Sequence, residues 1–286
     1  MNTTQPSDDG HTNIPGCEPC VSILLMSGHR ADCLQLPSRS PPDWTNHKAA
    51  FPMFTTARFL LVGKPLPRVE DSLRIGELLR WAVMSAFGKD EAGRYSAPPI
   101  FSGHDLPQGN RHQHAFYLPY DSSGHGYLNR AVIHVPAGFS GDQRLIIGRL
   151  RKIWQRDGGK WRLILEGIGG VGVGGSLVEP SREWTSVTPY LHPWHAKNGF
   201  TVEDQIRREC GERGFPKPLR IERLPSISIG GRDRYPLHFH RIRARRGLSQ
   251  PDRHGSFWQI EFSEPIGGPL ALGFGCHFGL GMFVPQ

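Results

Sequence analysis

The sequence predicts an α+β protein made of two tandem halves and closed by a glycine-rich loop. Three observations carry this. Across residues 58–165, short apolar runs and amphipathic helical patterns alternate in the order strand, helix, strand, strand, helix, strand. A less regular set of the same signals begins at residue 185. Near the end, Gly273, Gly275, Gly279 and Gly281 fall within one short segment, which demands backbone freedom.

Residues 1–50 are rich in Pro, Ser, Asp and Asn and read as a poorly ordered leader or small appendage. Cys17, Cys20, His29 and Cys33 lie there, but their spacing fits no common zinc finger or knuckle, and no metal is assigned to them. Residues 58–62 form a strand pattern. Residues 71–87 place Ile75, Leu78, Leu79, Ala82, Val83 and Ala86 on one helical face. Strand patterns at 114–119 and 128–135 are joined across 121–126, whose Asp, Ser and Gly residues suit a turn. Ser140 can cap a second helix running to about Trp154, with Leu145, Ile146, Leu150 and Ile153 inward, and 161–165 is a strand. The βαββαβ order is that of a ferredoxin-like (RRM-like) unit.

In the second half, 185–191 is strand-like, and Thr201-x-x-Asp204 resembles a capping box opening a helix with Val202, Ile206 and Cys210 on one face, ended near Gly214. Strand patterns return at 221–229, 237–245 and 257–262. The expected division is therefore a leader at 1–50, a first RRM-like half at 51–175, and a second RRM-like half with the glycine loop at 176–286.

Composition narrows the function classes. The 286 residues carry a net charge of +8 and a pI near 9.5. Residues 220–253 hold nine arginines against Glu222, Asp233 and Asp252, so +6 of that surplus is concentrated there and favours a polyanionic partner. No stretch approaches the roughly 20 apolar residues of a membrane helix, and 21–26 is too short for a signal peptide and lacks a preceding basic region, so a cytoplasmic protein without a membrane partner is expected. Five scattered cysteines are too few for a disulfide framework and should be reduced thiols.

Four features could carry chemistry. Gly167-x-Gly169-x-x-Gly172 follows a strand, but no helical periodicity succeeds it and no acid ends a later strand, so it reads as a flexible connection and no dinucleotide cofactor is expected. Arg241, Arg243 and Arg245 alternate with Ile242 and Ala244, which in a strand would put three guanidinium groups on one face as a basic ribbon for a nucleic-acid backbone. His112-x-His114 has period-two spacing, with His104 and His125 nearby. Structural histidines, metal ligands and general acid/base chemistry all compete there. Finally, the glycine loop around His277 and Phe278 could bring backbone amides close to phosphates, or could be a bulged strand pair.

Three segments together resemble a known family. They are Arg111-His-Gln-His-Ala-Phe-Tyr-Leu-Pro119 running on to the Pro136–Phe139 turn, then Trp184-Thr-Ser-Val-Thr-Pro189 with Pro193 and His195 before the helix holding Gln205-Ile-Arg-Arg-Glu209, and lastly Gly268-Pro-Leu-Ala-Leu-Gly273 through Gly279-Leu-Gly-Met-Phe-Val-Pro285. In content and order they are similar to the CRISPR repeat-processing endoribonucleases of the Cas-six superfamily, in the type I-U/I-G branch often fused to a Cas-five-like part. The resemblance implies binding of CRISPR repeat RNA, association with other effector-complex subunits, and metal-independent cleavage leaving a 2′,3′-cyclic phosphate with no cofactor. It further implies a histidine of the first half as acid/base, so His112 and His114 are the catalytic candidates. It places Gly273, Gly275, His277, Gly279 and Gly281 in an RNA-contacting loop, whereas Arg241, Arg243 and Arg245 are assigned to RNA by charge. Residues 1–50 are too short to be a Cas-five-like part. The alternatives are a non-catalytic RNA-binding subunit of a type I effector complex, and a metal-dependent hydrolase or oxygenase using His104, His112 and His114.

Overall fold

The computed structural model describes residues 54–106, 112–155, 158–197, 199–243 and 250–286. The expectations placed on residues 1–50, and those on Arg245, lie outside the described residues. Two five-stranded antiparallel sheets and a few helices make up the fold, which is α+β.

The first sheet takes its strands from the first half. β1 (Phe54–Val62) leads through a short 3-10 turn into α1 (Ser72–Ala86), a one-turn α2 (Pro99–Ser102), β2 (Phe116–Tyr120), β3 (Arg130–Phe139), α3 (Gly141–Gly148), β4 (Lys152–Trp154) and β5 (Lys160–Gly169). Their spatial order is β2-β3-β1-β5-β4. α1 buries Ile75, Leu79 and Val83 as the helical period requires, against Phe59, Leu61, Tyr117, Ile133 and Leu163 of the sheet. The Ser140 capping box with Gln143 is present, but the helix it opens ends at Gly148, short of Trp154. The chain turns there so that Ile153 enters the core from β4, a strand bonded to β5.

The second sheet uses β6 (Ser181–Ser186), α4 (Val202–Glu212), β7 (Pro218–Leu224), β10 (Phe257–Ile266), β11 (Leu270–Ala271) and β12 (Met282–Pro285) in the order β11-β12-β6-β10-β7, with a separate hairpin of β8 (Ile227–Ile229) and β9 (Arg232–Arg234). The Thr201–Asp204 capping box opens α4, and Ile206 and Cys210 join Trp184, Ile260, Phe262 and Phe283 in its core.

The halves share apolar cores. β2 is buried at every position, which its place at a sheet edge does not by itself require. Tyr117 faces the α1 side. Phe116, Leu118 and Tyr120 face Leu177, Val178, Ala271, Cys276 and Met282. Gly167, Gly169 and Gly172, expected to form a flexible connection, instead lie at the end of β5 and in packed 3-10 turns whose Leu177 and Val178 belong to this shared core.

Residues 237–243, the described part of the expected strand at 237–245, do not form it. Pro236–His238 is a 3-10 turn, and 239–243 has no regular structure. Tertiary pairing overrides the local alternation here. Phe239 packs into the first core, the His240 amide donates to the Glu70 carbonyl (2.8 Å), and Arg234 and Arg243 pair with Glu70 (2.6 Å) and Glu77 (2.7 Å).

The glycine loop seats on α1 through Gly76. A Cβ there would collide with the Phe278 carbonyl oxygen and lie 2.8 Å from that of Tyr117. Gly76→Ala should therefore lose stability by about 1–3 kcal/mol despite the better helix propensity of alanine. Urea denaturation measures this, and an unchanged or raised midpoint would contradict the packing described.

Candidate active site

His112 and His114 sit on the segment entering β2, and His277 sits in a 3-10 turn, Cys276–Phe278, of the glycine loop. Gly275 and Gly279 flank that turn with φ of 81° and 87°, values that L side chains rarely adopt, so the glycines are what make so tight a turn possible. Gly273 (φ 87°) and Gly281 (φ 55°) do the same at the loop's base. The loop amides are largely committed internally: Phe274 donates to Leu191, Gly281 to Pro189, and Gly273 to the Glu209 carboxylate. The loop therefore acts first as a mount for His277.

The three imidazoles form a stack. The His114 and His277 rings lie 3.8 Å apart at 12°, and Phe116 covers His277 at 4.0 Å. His277 Nδ1 is 3.1 Å from the Ala115 carbonyl oxygen, and its Nε2 is 3.0 Å from His112 Nδ1. A carbonyl oxygen only accepts, so Nδ1 of neutral His277 carries the proton and Nε2 is an acceptor. His112 Nδ1 must then be the donor to it. This leaves His112 Nε2 unprotonated, an available base. Arg213 Nη2, 3.4 Å from His112 Nδ1, can add only electrostatic influence, because both groups are donors.

Burial is the main cause that holds His112 and His114 down to about 4. Arg213 and His114 add to the effect at His112, as do Arg80 and His104 at His114. His277 is pushed well below its ordinary value, again chiefly by burial. All three are neutral near pH 7. His112 also adopts a left-handed backbone (φ 53°), a conformation unusual for a non-glycine residue and concentrated at functional sites.

A cleft of about 970 Å³ opens beside this stack, lined by Glu77, Arg80, His112, His114, Arg243 and Phe278 among others. Arg80 donates to the Ser102 carbonyl (2.7 Å) and lies 3.4 Å from His104 Nε2. Arg243 faces the cleft, over the Phe278 ring at 4.1 Å, but its charge is offset by Glu77. Arg241 donates to the backbone carbonyls of Phe239, Arg253 and His254. The basic ribbon expected from sequence is thus absent from the described residues. Arg243 fastens the segment to α1, and Arg241 fastens it to the 253–254 backbone.

Glu209 and Arg213 carry a role the sequence reading missed. The Glu209 carboxylate is 3% exposed and accepts from the Tyr190 hydroxyl (2.8 Å), the Gly273 amide (2.9 Å) and Arg213 (3.1 Å). Glu and Arg four apart at a helix end look like an ordinary surface pair, so spacing alone gives no sign of burial. The glycine at 273, with a backbone amide needing a partner, is the one available hint.

His112, His277 and Cys276 offer ligand atoms within 4.8 Å of one another. They do not suit a cation. The Arg213 guanidinium lies 3.4 Å from one of these atoms and 3.5 Å from another, and burial pushes the Cys276 thiol up to about 11, keeping it neutral. His104 is not part of this group.

The low histidine values set a pH dependence of stability. His134, whose Nδ1 is 3.0 Å from Thr56 Oγ1, is also held at about 4 by burial. Unfolded histidines titrate near 6.5, so between these values the unfolded chain binds more protons than the folded one. Stability is full above about pH 6.5 and falls as pH drops toward 4. His134 alone should contribute about 1–2 kcal/mol of loss between pH 7 and 5. Urea midpoints across that range check it, and a flat profile would contradict the neutral buried histidines.

No protein-family model matches the chain, and no curated protein sequence matches it. Among the described residues no helix is long and apolar enough to cross a membrane.

Proposed function

We propose that the chain is a CRISPR repeat-processing endoribonuclease of two tandem ferredoxin-like halves, cutting RNA without metal in the cleft beside the histidine stack. The observation that carries this is the hydrogen-bonded line from the Ala115 carbonyl through His277 to His112, which leaves a neutral imidazole nitrogen as a base in a cleft large enough for a nucleotide. The fold reading draws support from strand order. β2-β3-β1-β5 and β7-β10-β6-β12 repeat one antiparallel arrangement, that of a ferredoxin-like unit, with the glycine loop occupying the place of the second helix in the later half.

In this reading His112 Nε2 takes the proton of a ribose 2′-hydroxyl. The 2′-oxygen attacks the adjacent phosphorus, and the bond from phosphorus to the 5′-oxygen breaks. The imidazolium then returns its proton to the leaving 5′-oxygen, so the products are a 2′,3′-cyclic phosphate and a 5′-hydroxyl, and nothing else is consumed. Arg80 lines the cleft and supplies positive charge near the phosphorane. His114 and His277 act as positioning residues, holding the His112 ring and its tautomer. The test is repeat RNA incubated with the protein in excess EDTA. Cleavage with a cyclic-phosphate end is expected, and tight binding without turnover would instead make the chain a non-catalytic RNA-binding subunit.

A further inference from the structure

A second groove, about 800 Å³, runs between α1 and the edge strand β4. Trp81, Tyr95 and Trp154 line it, and they are 52%, 40% and 57% exposed. Large aromatic side chains left this open are costly unless something covers them. Trp81 and Tyr95 pack edge to face at 5.9 Å, and both also line the histidine cleft, so the groove adjoins the cleft.

The charged residues that line the groove have one sign. Arg149, Arg151 and Lys152 line the groove with no carboxylate among its lining residues. Arg149 and Lys152 have no ion pair among the described residues, whereas Arg151 donates to the Gly148 and Leu150 carbonyls. The β4–β5 register pairs Lys152 with Arg162 and Trp154 with Lys160, and cross-strand partners share a face, so the exposed Lys160 and Arg162 extend the basic surface beside Trp154.

We infer that this groove binds single-stranded RNA, with bases stacked on Trp154 and on the Trp81–Tyr95 pair and phosphates tracked by Arg149, Lys152, Lys160 and Arg162. Aromatic faces interleaved with unpaired cations are how proteins hold single strands without reading sequence. The inference rests on the proposed RNA-processing function and adds to it a path for the unpaired strand leading to the scissile bond.

The test uses the full chain and a fluorescent oligodeoxyuridylate of about twelve nucleotides, which lacks the 2′-hydroxyl and stays intact. Anisotropy should show salt-sensitive binding. Trp154→Ala should weaken it about ten-fold, within the range of one lost base stack. Arg149→Ala with Lys152→Ala should reduce the salt slope by about 1.4, two single-strand phosphate contacts. These side chains are exposed, so unchanged thermal melting is expected in each variant. Failure of the wild-type chain to bind the oligonucleotide would overturn the inference and leave the groove to a protein partner. Binding unchanged in all variants would overturn it too. Binding that depends on Trp154 in a protein inert toward repeat RNA would uphold the groove and refute the proposed cleavage.

Discussion

Glu209→Gln should lower stability by about 3–5 kcal/mol, the largest loss expected from any nearly isosteric change in this protein. The substitution keeps an oxygen for the Gly273 amide but removes the charge facing Arg213, whose side chain is 7% exposed. Arg213 Nε and Nη1 already have no hydrogen-bond partner, so Glu209 supplies the one carboxylate paired with this guanidinium among the described residues. At roughly 2–4 °C per kcal/mol for a folded body of this size, melting should drop by about 10 °C. The control is Glu209→Gln combined with Arg213→Met. A buried ion pair replaced by apolar groups can be nearly neutral, so the double variant should recover much of the loss. Additive losses would show that the pair does not act as a unit. Because the Gly273 amide is held by the same carboxylate, the single variant should also loosen the mount of His277.

His112→Ala should reduce the single-turnover rate on repeat RNA by about 10²–10⁴, the range for loss of a general base. His277→Ala should act differently. It removes the acceptor that fixes the His112 tautomer and lets either nitrogen carry the proton, so the rate falls while the pH profile shifts. The wild-type rate should hold steady from neutral pH downward and fall only as His112 protonates, near its folded value of about 4, unless bound phosphate moves that fall to higher pH. A rate that drops equally at all pH values in His277→Ala would reduce His277 to a packing residue.

The parts of this arrangement written in local pattern were legible in the sequence. The Ser140 cap, the Thr201 capping box, the apolar face of α1 and the glycines of the terminal loop each rest on a few neighbouring residues. His112 and His114 were singled out by density, and the structure brings both to His277, 165 residues away from His112. What failed was long-range. The 241–245 alternation looks like a strand, yet Arg243 is claimed by Glu77 and Arg241 by carbonyls at 253 and 254, partners that no local window contains. The charge surplus at 220–253 was real as arithmetic, but pairs with Glu70 and Glu77, outside that segment, absorb part of it. The exposed cations beside Trp154 drew no notice, since Arg149 lies just ahead of one strand and Lys152 at its start, with Lys160 and Arg162 on the next, and only the fold sets them beside Trp81 and Tyr95.

The most direct test of the central claim is single-turnover cleavage of repeat RNA in excess EDTA, with the wild-type chain and His112→Ala side by side and the 3′ end of the upstream product identified. The expected result is one cut by the wild type leaving a 2′,3′-cyclic phosphate, and a rate at least about a hundred-fold lower in the variant. No cleavage by the wild type in EDTA, or full activity in His112→Ala, would contradict it.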